Sequence, residues 1–194
     1  MPDLKKKMID NMIKITPIDI SYAGELSALA KNIYKEYYLH LWYPGGAEWY
    51  MNDYAYAVQT VAAEIADPGN LHFIIHDKDR ALGYLKIRLH ATLSGFEHFN
   101  SMEIERIYLH KEAAGKGIGK VLMNFSENIA FQYKKEMIFL KAMDTSDKAI
   151  NFYRQTGYTK CGTLVLPFPL MKEAYRGMII FKKNIILPHK KNPL

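Results

Sequence analysis

The sequence predicts one mixed α/β domain of the α+β kind, and three features of its pattern carry that prediction. Runs with strand-like spacing recur from one end of the chain to the other. Three of them follow one another in the middle as a meander. Beyond the meander a glycine-rich turn opens a helix that leads to a further strand, which puts one crossover into a mostly antiparallel sheet.

Taken in order, Ile13-Lys14-Ile15-Thr16 alternates and reads as a short strand ended by Pro17. From Ser21 onward Leu26, Leu29, Ile33 and Tyr37 recur at helical spacing, until Pro44-Gly45-Gly46 breaks the pattern. A second helix is expected over 48–65, stopping before the turn signal Asp67-Pro68-Gly69-Asn70. Strands follow over 71–76, 81–89 and 102–109. Asp77-Lys78-Asp79-Arg80 makes the first pair a hairpin, and Ser94-Gly95 loosens the second connection. A helix of about four turns then turns Val121, Leu122, Phe125 and Ile129 inward. Residues 137–142 read as a strand, 146–156 as a helix, and 158–166 and 178–182 as strands. Residues 1–12 read as an extension, 13–183 as the domain and 184–194 as a tail.

Composition excludes several classes. Of 194 residues, 49% are hydrophobic and 24% charged, as in folded globular proteins and unlike disordered, collagenous or coiled-coil chains. Such a domain buries roughly 70% of its unfolded surface and needs no metal or disulfide to fold. The single cysteine, Cys161, excludes an internal disulfide and a thiolate zinc cluster, and fits a cytoplasmic setting. Charges cut every apolar run short of the ~18 residues a membrane span needs. The first residues lack the apolar core and cleavage site of a signal peptide. Much of the positive excess behind the net charge of +6 sits at the ends, in Lys5, Lys6, Lys7, Lys182, Lys183, Lys190 and Lys191. No recognition helix or finger lies between them, so they read as solvated termini and not as a nucleic-acid site. An enzyme with an anionic cofactor suits that balance equally well.

The sharpest local feature is Ala114-Gly115-Lys116-Gly117-Ile118-Gly119-Lys120, set between a strand and a helix. Glycines let a backbone approach a ligand closely, and the free N–H groups and dipole of the helix start favour an anion. A Walker loop would need Ser or Thr after Lys120, where Val121 stands. A dinucleotide fingerprint would need glycine where Lys120 stands.

The loop instead resembles the acetyl-CoA loop of the GNAT superfamily of N-acetyltransferases, Arg/Gln-x-x-Gly-x-Gly/Ala, carried here by 114–119. A later feature of that superfamily, Ala-x-x-Phe-Tyr-x-x-x-Gly-Phe/Tyr, is met by Ala149, Phe152, Tyr153, Gly157 and Tyr158. Within the superfamily, Glu103-Ile104-Glu105-Arg106-Ile107-Tyr108 and the Phe-Tyr helix are similar to the bacterial PaiA-type spermidine/spermine N-acetyltransferases. The resemblance implies a twisted, mostly antiparallel sheet of about seven strands, flanked by four helices and splayed at the cofactor strand. It implies acetyl-CoA as cofactor, held by Ile107, Tyr108, Leu109, Ala114, Gly115, Lys116, Gly117, Ile118, Gly119, Lys120, Ser146 and Tyr153. Two positions depart from the pattern: Ala114 replaces the usual Arg or Gln, and Ser146 replaces a frequent Asn. Lys116, Lys120 and the backbone can compensate for the first, and a serine can still cap its helix.

The phase of apolar residues in 102–109 switches from even (Met102, Ile104) to odd (Ile107, Leu109), as one inserted bulge residue would make it. The superfamily has a similar bulge, which opens a slot for the pantetheine arm. The resemblance then aims the Leu109 N–H at the thioester oxygen. Neighbouring helix positions point about 100° apart, so Phe152 is expected to pack inward while Tyr153 faces a cleft as a catalytic acid. Glu105 is preferred over Glu103 as the base, because it lies nearer the loop. His72 and His76 stand too far apart along a strand to share a metal, His110 reads as merely polar, and Cys161 as a packing residue.

The region from Tyr34 to Tyr56 is crowded with aromatics. In the superfamily it borders the acceptor site, so Trp42 with Glu36, Glu48 and Asp53 is expected to bind an alkylammonium group. The expected activity is acetyl transfer from acetyl-CoA to a primary amine, a polyamine among the candidates, by direct attack within a ternary complex. The alternatives are a protein N-terminus or lysine as acceptor, and a CoA-binding sensor without catalysis. The sequence leaves room for a homodimer.

Overall fold

The computed structural model describes residues 13–186; the extension, Lys5–Lys7, Lys190 and Lys191 lie outside them. Seven strands form one sheet: β1 (Ile13–Pro17), β2 (Asn70–Asp77), β3 (Arg80–Arg88), β4 (Ser101–Leu109), β5 (Met137–Met143), β6 (Thr159–Val165) and β7 (Gly177–Asn184). Their spatial order is β1-β2-β3-β4-β5-β7-β6, and the β4–β5 pair alone is parallel. The helices are α1 (Ala23–Tyr37), α2 (Gly46–Trp49), α3 (Val58–Ala66), α4 (Ile118–Gln132) and α5 (Asp147–Gln155). The mixed α/β class and the seven strands agree with the pattern in the sequence.

The helix expected over 48–65 is a correction, and it raises the expected four helices to five. The chain instead forms α2, a π-helical turn (Tyr50–Tyr54) and then α3, with Ala57 in an extended ψ of 140° between them. The interruption turns Tyr56 inward to 1% exposure. Its carbonyl, freed from helix bonding, accepts the Ser27 hydroxyl of α1.

Adjacent residues of one strand point to opposite faces, so Ile75 and Leu85 feed one core and Ile74 and Tyr84 another. The first core holds α4 and α5 through Ile118, Leu122, Ile129, Ile150 and Tyr153. The second holds α1 and α3 and is rich in aromatic rings. A short 3₁₀ turn (Ile20–Tyr22), capped by the Asp19 carboxylate on the Ser21 N–H, leads the chain into α1. The hairpin between β2 and β3 turns on Lys78, whose φ of 54° is the left-handed conformation such a tight turn requires.

Two irregularities place the site. Lys86 of β3 pairs with Arg106 of β4 while Ile87 pairs with Ile104, so Glu105 is the extra residue of a bulge. β4 pairs with β5 over Ser101–Ile104 only, yet β5 continues along β7 as far as Met143. The sheet therefore opens into a wedge between Glu105–Leu109 and the end of β5, at the bulge that the phase switch predicts.

Candidate active site

The wedge continues into a cleft of about 320 Å³ lined by Ile107, Leu109, Ala113, Ala114, Gly115, Gly117, Gly119, Lys120, Phe152 and Tyr153. Both sequence motifs thus meet at one place. A second hollow, of about 360 Å³, lies around Asp67–Asn70, Arg88 and His90, away from either motif.

The free edge of β4 supplies the cleft's backbone groups. The His110 N–H donates to Leu82 O of β3 at 2.8 Å. Hydrogen-bonding direction alternates along an antiparallel ladder, so the Leu109 N–H points the other way, toward the space that β5 has left. Leu109 stands opposite Gly83, where a Cβ would come within 2.2 Å of Tyr108 O and 2.6 Å of Leu109 Cδ2. A glycine on the neighbouring strand is what lets β4 lie there.

The loop follows at once. Gly117, at φ 83°, caps α4 in a left-handed conformation that a side chain rarely adopts. Its carbonyl accepts from Lys120 N and Val121 N, which leaves the first-turn N–H groups of α4 facing outward at the positive end of a fifteen-residue helix. Lys116 and Lys120 are exposed, and Ile118 is buried and anchors the turn from beneath. A Cβ on Gly119 would touch Phe152 Cζ at 3.1 Å, so this glycine is also the contact surface between loop and α5. First-turn amides, Lys120 and an open strand edge in one cleft, with Lys116 exposed on the loop beside it, fit the pyrophosphate and amide arm of CoA.

Several expected residues stand differently. Tyr153, 8% exposed, is the more buried of the α5 aromatics, and Phe152 lines the same cleft beside it, which corrects the expected inward–outward split. Burial first, and Tyr108 second, push the Tyr153 phenol well above its usual pKa, so it keeps its proton throughout the physiological range. Ser146 occupies the position before α5, but its side chain makes no capping hydrogen bond.

The charged residues are paired among themselves. Glu105 lies 2.9 Å from Lys86 Nζ and 3.5 Å from both Arg88 and Arg106, a network and not the cleft lining. Arg106 in turn makes a bidentate pair with Glu64 of α3 at 2.6 and 3.0 Å. Glu103, 2% exposed, bonds Lys141 Nζ at 2.7 Å and Arg88 at 3.1 Å and is no solvated charge. Burial raises the Glu64 carboxyl, and Arg106 and Lys86 more than reverse this, so its pKa lies below the usual range.

The expected acceptor residues divide. Trp42, 4% exposed, donates its indole N–H to Tyr34 Oη at 2.8 Å inside the aromatic core. Glu48 and Asp53 are exposed on α2 and its π turn. Glu36 accepts the Lys111 N–H at 2.8 Å and bonds His110 Nδ1. Cys161 is half-buried with Sγ 3.6 Å from Ile180 O, a packing environment. The segment between β6 and β7, unassigned by sequence, covers this side: Tyr43 bonds Glu173, Lys172 N bonds Leu41 O, and Phe168 meets Trp42, Trp49, Tyr50 and Tyr54.

The profile of the Acetyltransferase (GNAT) family matches residues 30–158. The chain belongs to that family. An uncharacterized N-acetyltransferase in the pepI 3′ region of Lactobacillus delbrueckii subsp. lactis is 32% identical over 100 residues, which are 52% of this chain and 58% of that protein. This chain thus matches little more than half the length of that relative. The PaiA N-acetyltransferase of Thermoplasma acidophilum, solved with coenzyme A, has the same fold at a TM-score of 0.70 and 19% identity, covering 89% of this chain and 98% of that one. The spermidine N-acetyltransferase of Vibrio cholerae, solved with CoA and spermine, matches at 0.65 and 16%, covering 90% and 96%. No described helix is long and apolar enough to cross a membrane.

Proposed function

We propose that the chain is an acetyl-CoA-dependent N-acetyltransferase whose acceptor is the primary amine of a small molecule. The observation that carries this reading is the parting of β4 from β5 after Ile104, which turns the Leu109 N–H to a cleft continuous with the glycine loop. Acetyl-CoA, when bound, supplies an activated acetyl thioester. Backbone groups of Ile107 and Leu109 hold the amide arm, whereas the expected Tyr108 backbone groups point back to β3, and the Leu109 N–H stabilises negative charge on the reacting carbonyl oxygen. Ala114, Gly115, Lys116, Gly117, Ile118, Gly119 and Lys120 hold the pyrophosphate, by first-turn amides and two cations. Ser146 borders the same cofactor from the start of α5.

Tyr153 lines the cleft and, being buried, keeps its proton, so its O–H can donate a hydrogen bond to a departing thiolate. Much of the rate comes from holding amine and carbonyl together. Glu105, neutralised by three cations, serves better to fix the bulge than to take a proton.

Coenzyme A titrated by calorimetry, and acetyl transfer to a panel of monoamines, polyamines, amino acids and peptides, test the reading together. Saturable CoA binding and turnover with a small amine are expected. Gly117→Asp should weaken CoA binding by at least tenfold, because a carboxylate and a Cβ would enter the phosphate cradle. Turnover with peptides alone would move the acceptor to a protein N-terminus or lysine. CoA binding with no turnover would leave a sensor.

A further inference from the structure

We propose that His110, with its tautomer set by Glu36, is the base that takes the proton from the incoming ammonium group. The inference rests on the acetyltransferase reading above and names a residue for it. Amines of pKa about 10 arrive protonated at neutral pH, so transfer needs a group that removes one proton close to the carbonyl.

Ile107 and Leu109 turn their side chains to the core of α4 and α5, the side on which the cleft lies. The cleft side being taken by the amide arm, an amine must reach the free edge of β4 from the opposite face, that of α1. His110 directly follows Leu109, and its side chain lies on that opposite face, against the C-terminal end of α1. There its Nδ1 bonds Glu36. The same carboxylate accepts the Lys111 N–H at 2.8 Å, so both its oxygens are fixed.

A carboxylate on Nδ1 requires that nitrogen to carry the hydrogen, which leaves the Nε2 lone pair as acceptor. Nε2 bonds to no described residue and is not among the described polar atoms sealed from solvent. The proton passes from the ammonium nitrogen to Nε2 without change of oxidation state. The amine becomes neutral, the ring becomes imidazolium beside the Glu36 carboxylate, and the proton then leaves to solvent from Nε2. Tyr37 of α1 faces Lys111 Nζ at 5.3 Å, and Arg80 of β3 pairs with Glu112. Tyr108 is the remaining neighbour on the same face of β4.

The test uses His110→Gln and Glu36→Gln in the full chain, with CoA binding followed by calorimetry beside the pH dependence of kcat/KM. His110→Gln should hold CoA affinity within about threefold, lower kcat/KM by about 30-fold to 1,000-fold and alter its pH profile. Added imidazole should restore part of the rate to His110→Ala. Glu36→Gln, which removes the carboxylate that sets the tautomer, should lower the rate as well. Nitrogen NMR of the neutral wild-type ring should show hydrogen on Nδ1 and a bare Nε2, a measurement that needs no variant to fold. The opposite tautomer, or a His110→Gln enzyme with unaltered rate and pH profile, would overturn the proposal and leave the pair as a latch. Absence of acetyl transfer by the wild-type chain to any amine would instead sink the acetyltransferase reading.

Discussion

Single side chains here act through what surrounds them. Tyr153, held protonated by burial, is the group proposed to meet the departing thiolate, and removing its hydroxyl tests that role with little change of packing. Tyr153→Phe is expected to bind CoA within a few-fold of wild type and to lose about 10-fold to 1,000-fold in kcat, read by calorimetry and steady-state kinetics. Equal turnover would make Tyr153 a packing residue. His72 shows the same logic in stability. It is 4% exposed, and burial, then Lys86, lower its pKa to about 4 from the usual 6.5. The unfolded chain therefore binds the proton more tightly, and stability present above pH ~6.5 is lost as pH falls toward ~4. The loss from this residue is on the order of 3 kcal/mol. Denaturant midpoints measured across that range should fall steeply for wild type and less for His72→Met. Parallel curves would exclude His72 as the source.

At the scale of elements, the wedge depends on how closely β3 lets β4 approach. Gly83→Ala would place a Cβ 2.2 Å from Tyr108 O and 3.0 Å from Leu109 Cα, both backbone atoms that cannot rotate away. The substitution should cost about 1–3 kcal/mol in stability through overpacking. By displacing the Leu109 amide it should also weaken CoA about tenfold. A folded Gly83→Ala protein with wild-type affinity would separate the cleft from the register of β4. Much of this geometry was readable beforehand. The apolar phase switch between Ile104 and Ile107 gives the bulge, since a side chain that must stay in the core leaves no other way to change parity. The two motifs give the cleft, where Gly119 meets Phe152. The carboxylates were not readable, because pairing is a property of neighbours distant in sequence. Glu36 finds His110 across α1 and β4, and Glu105 finds Lys86 across β3. The break before α3 escaped for a similar reason. Residues 48–65 keep a helical period, and only the place waiting for Tyr56 in the second core shows why the helix must stop.

The whole molecule sets a field that the acceptor must cross. The chain carries +6, and a trivalent polyamine meets about three times the repulsion of a monoamine at long range. Recognition of a polycation therefore needs uncommitted carboxylates near the acceptor face. Glu36 is bound to His110 and Lys111, and Glu105 to Lys86, Arg88 and Arg106, which leaves Glu48 and Asp53 as the exposed carboxylates of the expected acceptor residues. Exposed ion pairs contribute about 0–1 kcal/mol, too little to reverse the field in the absence of a buried partner. Tyr50, Tyr54 and Phe168 pack against one another on the side of α1 and α2, and an acceptor that reached these rings would gain from an apolar or aromatic body more than from added positive charge. We expect kcat/KM for such a monoamine to exceed that for spermidine about tenfold at 50 mM salt. The gap should narrow at 300 mM as the Debye length falls from roughly 14 Å to about 6 Å. Spermidine as the better acceptor, with a KM that rises with salt and ceases to do so in Glu48→Gln or Asp53→Asn, would assign those two surface carboxylates to polyamine binding and refute the monoamine preference.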